Sequence, residues 1–167
     1  MTKTASPNQF AIFEGLTAHD SDAILQRGEI ITVKKGATVI EAGQPASALL
    51  LVRSGKIELR FNVVYYNGSI EVPLEILGAG GVIGWSALIP PRNYTLTGYA
   101  TEDSELLQLR GSTVQDYCEA HPAVGHTVMG NVARIVGERY EFARKLLIGE
   151  IQRDLKKKEN HSLWKSD

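Results

Sequence analysis

A single cysteine, Cys118, stands among the 167 residues, so no internal disulfide can staple the fold and stability must come from burial. A lone thiol suits a reducing cytoplasm, where Cys118 is expected to be partly buried and inert. A large excess of either charge is also missing. The 18 Lys and Arg against 19 Asp and Glu leave a net −1, which gives no positive field for nucleic acid or acidic membranes. No apolar run approaches the ~20 residues that span a bilayer, and MTKTASPNQF lacks the apolar stretch of a signal peptide. The expectation is a cytoplasmic chain. His19, His121, His126 and His161 have no metal-ligand spacing with cysteines or carboxylates, so neither a metal nor a cofactor is expected.

What the chain does have is length for one buried core, about 70% of its unfolded surface, and a pattern that changes twice. Residues 1–9 read as a tail. From Phe10 to Gly28 the apolar positions predict short helices, with Thr17 or Ser21 as cap and Gly28 as stop. From Ile30 to Leu109 short β-rich runs are separated by glycine turns at Gly36, Gly43 and Gly55. The predicted strands are Ile30–Val33, Thr38–Glu41, Leu49–Val52, Lys56–Val64, Ile70–Leu77, Thr95–Ala100 and Glu105–Leu109. Asn67-Gly68 predicts a type I′ hairpin, and Pro73 predicts an edge strand or bulge. Such spacing suggests a sandwich or jelly-roll barrel.

After Leu109 the period becomes helical. Ser112 and Gln115 have the spacing of a capping box, and Pro122 suits the first turn of a long helix. That helix, expected over 122–158 and followed by a tail at 159–167, carries two apolar rows. One is Val124, Val128, Val132, Ile135, Phe142 and Leu146; the other is Met129, Val136, Tyr140, Ala143, Leu147, Ile151 and Leu155. One seam needs only one row, so the second predicts a homodimer through this helix.

The stretch GGVIGWSALIPPRNYTLTGY, residues 80–99, carries the functional signal. Gly80, Gly81, Ile83 and Gly84, then Ser86, Ala87 and Leu88, resemble the ligand cassette of the cyclic-nucleotide-binding domains of the catabolite-activator family. The glycine spacing at Gly36, Gly43 and Gly55 is similar too, and the resemblance spans roughly Phe10 to Leu155. It implies a mainly β fold with flanking α: a β-roll or jelly-roll barrel (double-stranded β-helix) over 10–121, with short N-terminal helices and a long C-terminal helix. In that family a Glu accepts from the ribose hydroxyl and an Arg pairs with the cyclic phosphate. Trp85 stands at the Glu position, while Tyr94 and Thr95 stand at the Arg and Ser/Thr positions. Trp85 cannot accept such a bond and Tyr94 offers only a neutral one, so tight cyclic AMP binding is not expected. The ligand-binding candidates are Gly84, Trp85, Ser86, Ala87, Arg92, Tyr94 and Thr95. Amides of the Gly84–Ala87 turn suit a nucleotide or small anion. Trp85 either plugs the ribose space or stacks on another flat ligand. Arg92 either takes the missing cation's place or is an exposed loop residue.

Competing motifs are incomplete. Gly78, Gly80, Gly81 and Gly84 put the last glycine one place late for GxGxxG, and Gly84-Trp85-Ser86-Ala87-Leu88 ends in leucine where a nucleophile elbow has glycine. No catalytic residue is therefore assigned, and a non-enzymatic regulatory module in signalling is expected, with a ligand-free dimeric scaffold or protein-interaction domain as the alternative. Arg153 and Lys156–Lys158 suit a helix C-terminus without any partner. With only 159–167 beyond the helix, no specific DNA binding is expected.

Overall fold

The computed structural model describes residues 10–163. Residues up to Val132 form one compact unit and those from Ala133 a second. The first unit begins with a 3₁₀ turn, Ala11–Phe13, and helix α1, Ala18–Leu25. Thr17 caps α1 as expected: its hydroxyl oxygen accepts from the Asp20 amide at 3.1 Å and its own O–H donates to the Asp20 carboxylate at 2.7 Å. That second bond holds the Asp20 carboxyl below its ordinary range.

Eight strands follow: β1 Glu29–Val33, β2 Thr38–Ile40, β3 Ala48–Ser54, β4 Ile57–Tyr65, β5 Gly68–Leu77, β6 Val82–Ile83, β7 Thr97–Ala100 and β8 Ser104–Arg110. They form two antiparallel four-stranded sheets, ordered β1-β8-β3-β6 and β2-β7-β4-β5. This is the mainly β jelly-roll arrangement with helices at its ends. Every predicted strand is present; β6 was not predicted.

The core follows the pleat. Strand β3 is buried from Ala48 to Val52, matching its unbroken apolar run, whereas β4 alternates, with Ile57 and Leu59 inward. Gly55 turns β3 into β4 at φ 84°, and a Cβ there would lie 2.6 Å from the Ser104 backbone. Glycine is needed on both counts. Pro73 lies on edge strand β5 beside an irregularity in the β4 register, so both readings of its missing amide hold.

Two local expectations are corrected. Tyr65 pairs with Gly68, so the hairpin loop is Tyr66-Asn67, and neither residue has positive φ. A type I′ turn at Asn67-Gly68 is excluded because Gly68 already belongs to the ladder. Helix α2 runs Gly111–Ala120, with Arg110 as a cap that makes no side-chain bond. Ser112 therefore sits inside the first turn, and the Gln115 amide faces other partners; there is no capping box.

Helix α3 spans Pro122–Leu163, continuing past Lys158. Within the first unit Val124, Val128 and Val132 are buried, and Asn131 donates to the carbonyls of Ile12 and Glu14 at 3.1 and 2.8 Å. Cys118 is half-buried, and burial raises its thiol pKa, which disfavours the reactive thiolate. Within the second unit Tyr140, Phe142, Leu146, Leu147, Ile148, Ile151 and Leu155 are all exposed. Among the described residues, no helix is long and apolar enough to cross a membrane.

Candidate functional site

Strand β6 positions the cassette. Val82 and Ile83 pair with Leu51 and Leu50 of β3, and the Gly80 amide and Gly81 carbonyl bond Val52 at 2.9 Å each. This short ladder delivers the chain to Gly84, which adopts φ 74°, ψ 29°. Left-handed geometry there redirects the backbone into a single 3₁₀ turn, Trp85–Ala87. The turn is closed by Ala87 donating to the Gly84 carbonyl and Leu88 to that of Trp85, each at 2.9 Å. Gly84 is also sterically fixed, since a Cβ would stand 2.6 Å from the Ala48 oxygen and 3.0 Å from the Tyr94 ring.

Tyr94 ties this turn to the roll. Its backbone amide donates to Gln44 and its carbonyl accepts from Gly43, at 2.9 and 2.8 Å. Its phenol reaches the start of β3, donating to the Ala48 carbonyl at 3.1 Å and accepting from the Ala48 amide at 3.3 Å. Donor and acceptor are both engaged with backbone. The ring thus forms one wall of the Gly84 turn.

The sequence candidates are only partly gathered. Gly84, Ser86 and Ala87 are buried in the turn, and Trp85 and Tyr94 are half-buried. Thr95 is exposed and precedes β7, which starts at Thr97; the Thr97 hydroxyl, buried, accepts from the Ala42 amide at 3.2 Å. Arg92 is exposed and its guanidinium donates to Gln115 on α2 at 3.2 Å. The expected set of free amides is reduced, because that of Ala87 closes the turn. Among the described residues, those of Trp85 and Ser86 have no intrachain partner. Sequence reasoning missed Ala48 as an anchor of Tyr94, and Gln115 as the side chain that bonds Leu88 and Arg92.

This arrangement, a two-sheet jelly roll with a glycine-started cassette turn between β6 and β7, defines a class. The family model for the cyclic nucleotide-binding domain matches residues 30–121, and the chain belongs to that family. It is 29% identical over 127 residues to the Cyclic AMP receptor protein of Thermus thermophilus, covering 76% of this chain and 57% of that protein. It is 28% identical over 131 residues to Glutaminase 1 of Bradyrhizobium diazoefficiens, covering 77% of this chain and 20% of that protein. The chain thus spans under two thirds of either relative. Its fold is similar to a crystal structure of a cyclic nucleotide-binding domain from Methylobacillus flagellatus, with TM-score 0.72 and 16% identity, covering 86% of this chain and 79% of that one.

Proposed function

We propose that the chain is a non-enzymatic, cytoplasmic regulatory module whose cassette, Gly84–Ala87 with Tyr94 and Thr95, receives a nucleotide or small anion other than a tightly held cyclic AMP. The ligand unit is 10–121 and the helix over 122–158 joins two copies. One observation carries this reading: Gly84 is left-handed and opens a 3₁₀ turn, the turn on which the resemblance sets Trp85 and, after it, Tyr94 at the positions of the family's charged grips. Two unpartnered amides at the turn support an anion-bearing ligand. Arg92 contributes only by leaving Gln115.

A thermal-shift screen of nucleotides and small anions tests it. A ligand at about 100 times its Kd adds about 2.7 kcal/mol to the native state, which for this chain length raises Tm by about 5–10 °C. At least one nucleotide or anion should do so, and micromolar cyclic AMP should not. A panel with no effect would favour the ligand-free dimeric scaffold. That second reading is supported by the Tyr94 phenol, which is committed to Ala48 and packs on Gly84.

Pairing rests on the second unit. Among the described residues its ion pairs include Arg134–Glu138, Glu141–Arg144 and Glu150–Arg153, which lie within the helix and contribute only about 0.2–0.5 kcal/mol each. They cannot compensate for a length of apolar side chains left in water. A second copy presents the identical face, which a two-fold axis closes. Phe142→Asp or Leu146→Asp would bury an uncompensated charge, and light scattering should show the mass falling from dimer to monomer. A wild-type chain that is monomeric across a wide concentration range would overturn the pairing.

A further inference from the structure

We propose that Gln115 is the positioning residue of the cassette: its side-chain amide latches the loop after the cassette turn onto helix α2, so that loop and helix move as one element. Only the functional meaning of this latch rests on the reading of Gly84–Thr95 as a ligand site. The Gln115 Nε2 donates to the Leu88 carbonyl at 2.9 Å, and its Oε1 accepts from the Arg92 guanidinium at 3.2 Å. Leu88 offers an acceptor and Arg92 offers only donors. A bridge between them needs one donor and one acceptor on the same short side chain, which a carboxamide has and a carboxylate or an alkyl group lacks.

The loop held in this way is independently constrained. Arg92 has φ 59°, the sole positive value on a non-glycine among the described residues. Such a conformation persists where the surroundings over-determine it. Those surroundings are the Ile89 carbonyl, which accepts from the Arg92 amide at 3.1 Å, the Ala46 amide, which donates to the Arg92 carbonyl at 2.7 Å, and Gln115. A second contact lies one turn earlier on α2. A Cβ on Gly111 would stand 2.5 Å from the Ala87 oxygen, and the Gly111 amide donates to Ser47 at 2.8 Å. The start of α2 is therefore pressed on the cassette turn while Gln115 grips the residues after it. A shift of the turn must carry α2 or break the latch.

Residue-level hydrogen exchange on the full chain, with no ligand added, tests this independently of what the cassette binds. In Gln115→Leu the amides of Ala87, Leu88 and Arg92 should exchange about tenfold faster, with those of Leu106 to Leu109 unchanged. Arg92→Ala should give a smaller rise in the same amides. Combining the two should add nothing to Gln115→Leu alone, because both act through one side chain. Gln115→Glu supplies a readout that simple packing does not: its ionised form cannot donate to Leu88. Its exchange relative to wild type should be fast at neutral pH and should return toward unity only in acid below the ordinary carboxylate range, because the Arg92 guanidinium favours the ionised form and only the protonated acid donates. Unchanged cassette exchange in Gln115→Leu, additive effects of the two substitutions, an equal rise in β8, or a pH-independent ratio in Gln115→Glu would each overturn the latch.

Discussion

Gly84→Ala is expected to lower stability by about 2–4 kcal/mol, and Gly130→Ala to raise it by about 0.5–1 kcal/mol, although both add one methyl group to a glycine. Gly84 is left-handed at φ 74°, where an L side chain costs about 1–2 kcal/mol. The rest comes from contact: a Cβ would be 2.6 Å from the Ala48 oxygen, a backbone atom held by β3 pairing and by the Tyr94 phenol. Relief requires moving either the strand or the cassette turn. The entropy that alanine removes from the unfolded chain, about 0.4–1 kcal/mol, does not offset this. Gly130 lies in α3 with nothing within 4 Å of its Cβ position, so only helix propensity and that entropy act there. Urea unfolding midpoints of the two variants measure the contrast. Equal shifts would mean that the cassette turn yields freely, and that Gly84 does not define it.

The strands were legible because their signals are local. The Ala48–Val52 run is apolar at every position since the strand is covered on both faces, and glycine separates it from the alternating Ile57–Leu59. Strand β6 was illegible for the converse reason. Val82 and Ile83 sit among glycines, and they form a strand only because β3 offers its edge more than thirty positions away in the chain. The hairpin signal named the right place and the wrong pair: Asn67-Gly68 favours a turn, but Tyr65–Gly68 pairing sets the two-residue loop one position earlier, at Tyr66-Asn67.

Gln115 shows the limit of spacing rules for the site. Its position three residues after Ser112 suits a cap, yet tertiary contact offers the Leu88 carbonyl and the Arg92 guanidinium, and the helix starts earlier. For Tyr94, the resemblance indicated which charge was missing. It could not indicate that the phenol would bond a residue 46 positions away.

Trp85→Glu together with Tyr94→Arg is expected to raise affinity for cyclic AMP or cyclic GMP by about two to four powers of ten. Each change introduces a charge-assisted hydrogen bond worth about 1.5–3 kcal/mol to a bound nucleotide, one from a carboxylate to a ribose hydroxyl and one from a guanidinium to a phosphate. Tyr94→Arg also has a structural cost. It removes the phenol from the Ala48 amide and carbonyl, at about 1–3 kcal/mol for groups left unsatisfied at the start of β3, and it uncovers Gly84. Alone, that variant should be less stable and gain little, because Trp85 still occupies the neighbouring turn. Trp85→Glu alone should gain little for want of the cation. The pair should exceed the sum of the singles, since both groups grip one ligand and that ligand stabilises the loosened turn. Titration calorimetry of the four proteins with each cyclic nucleotide measures this coupling. A folded double variant that binds neither nucleotide better than wild type would show that more than Trp85 closes the cassette, and the ligand-free scaffold would then be the better account.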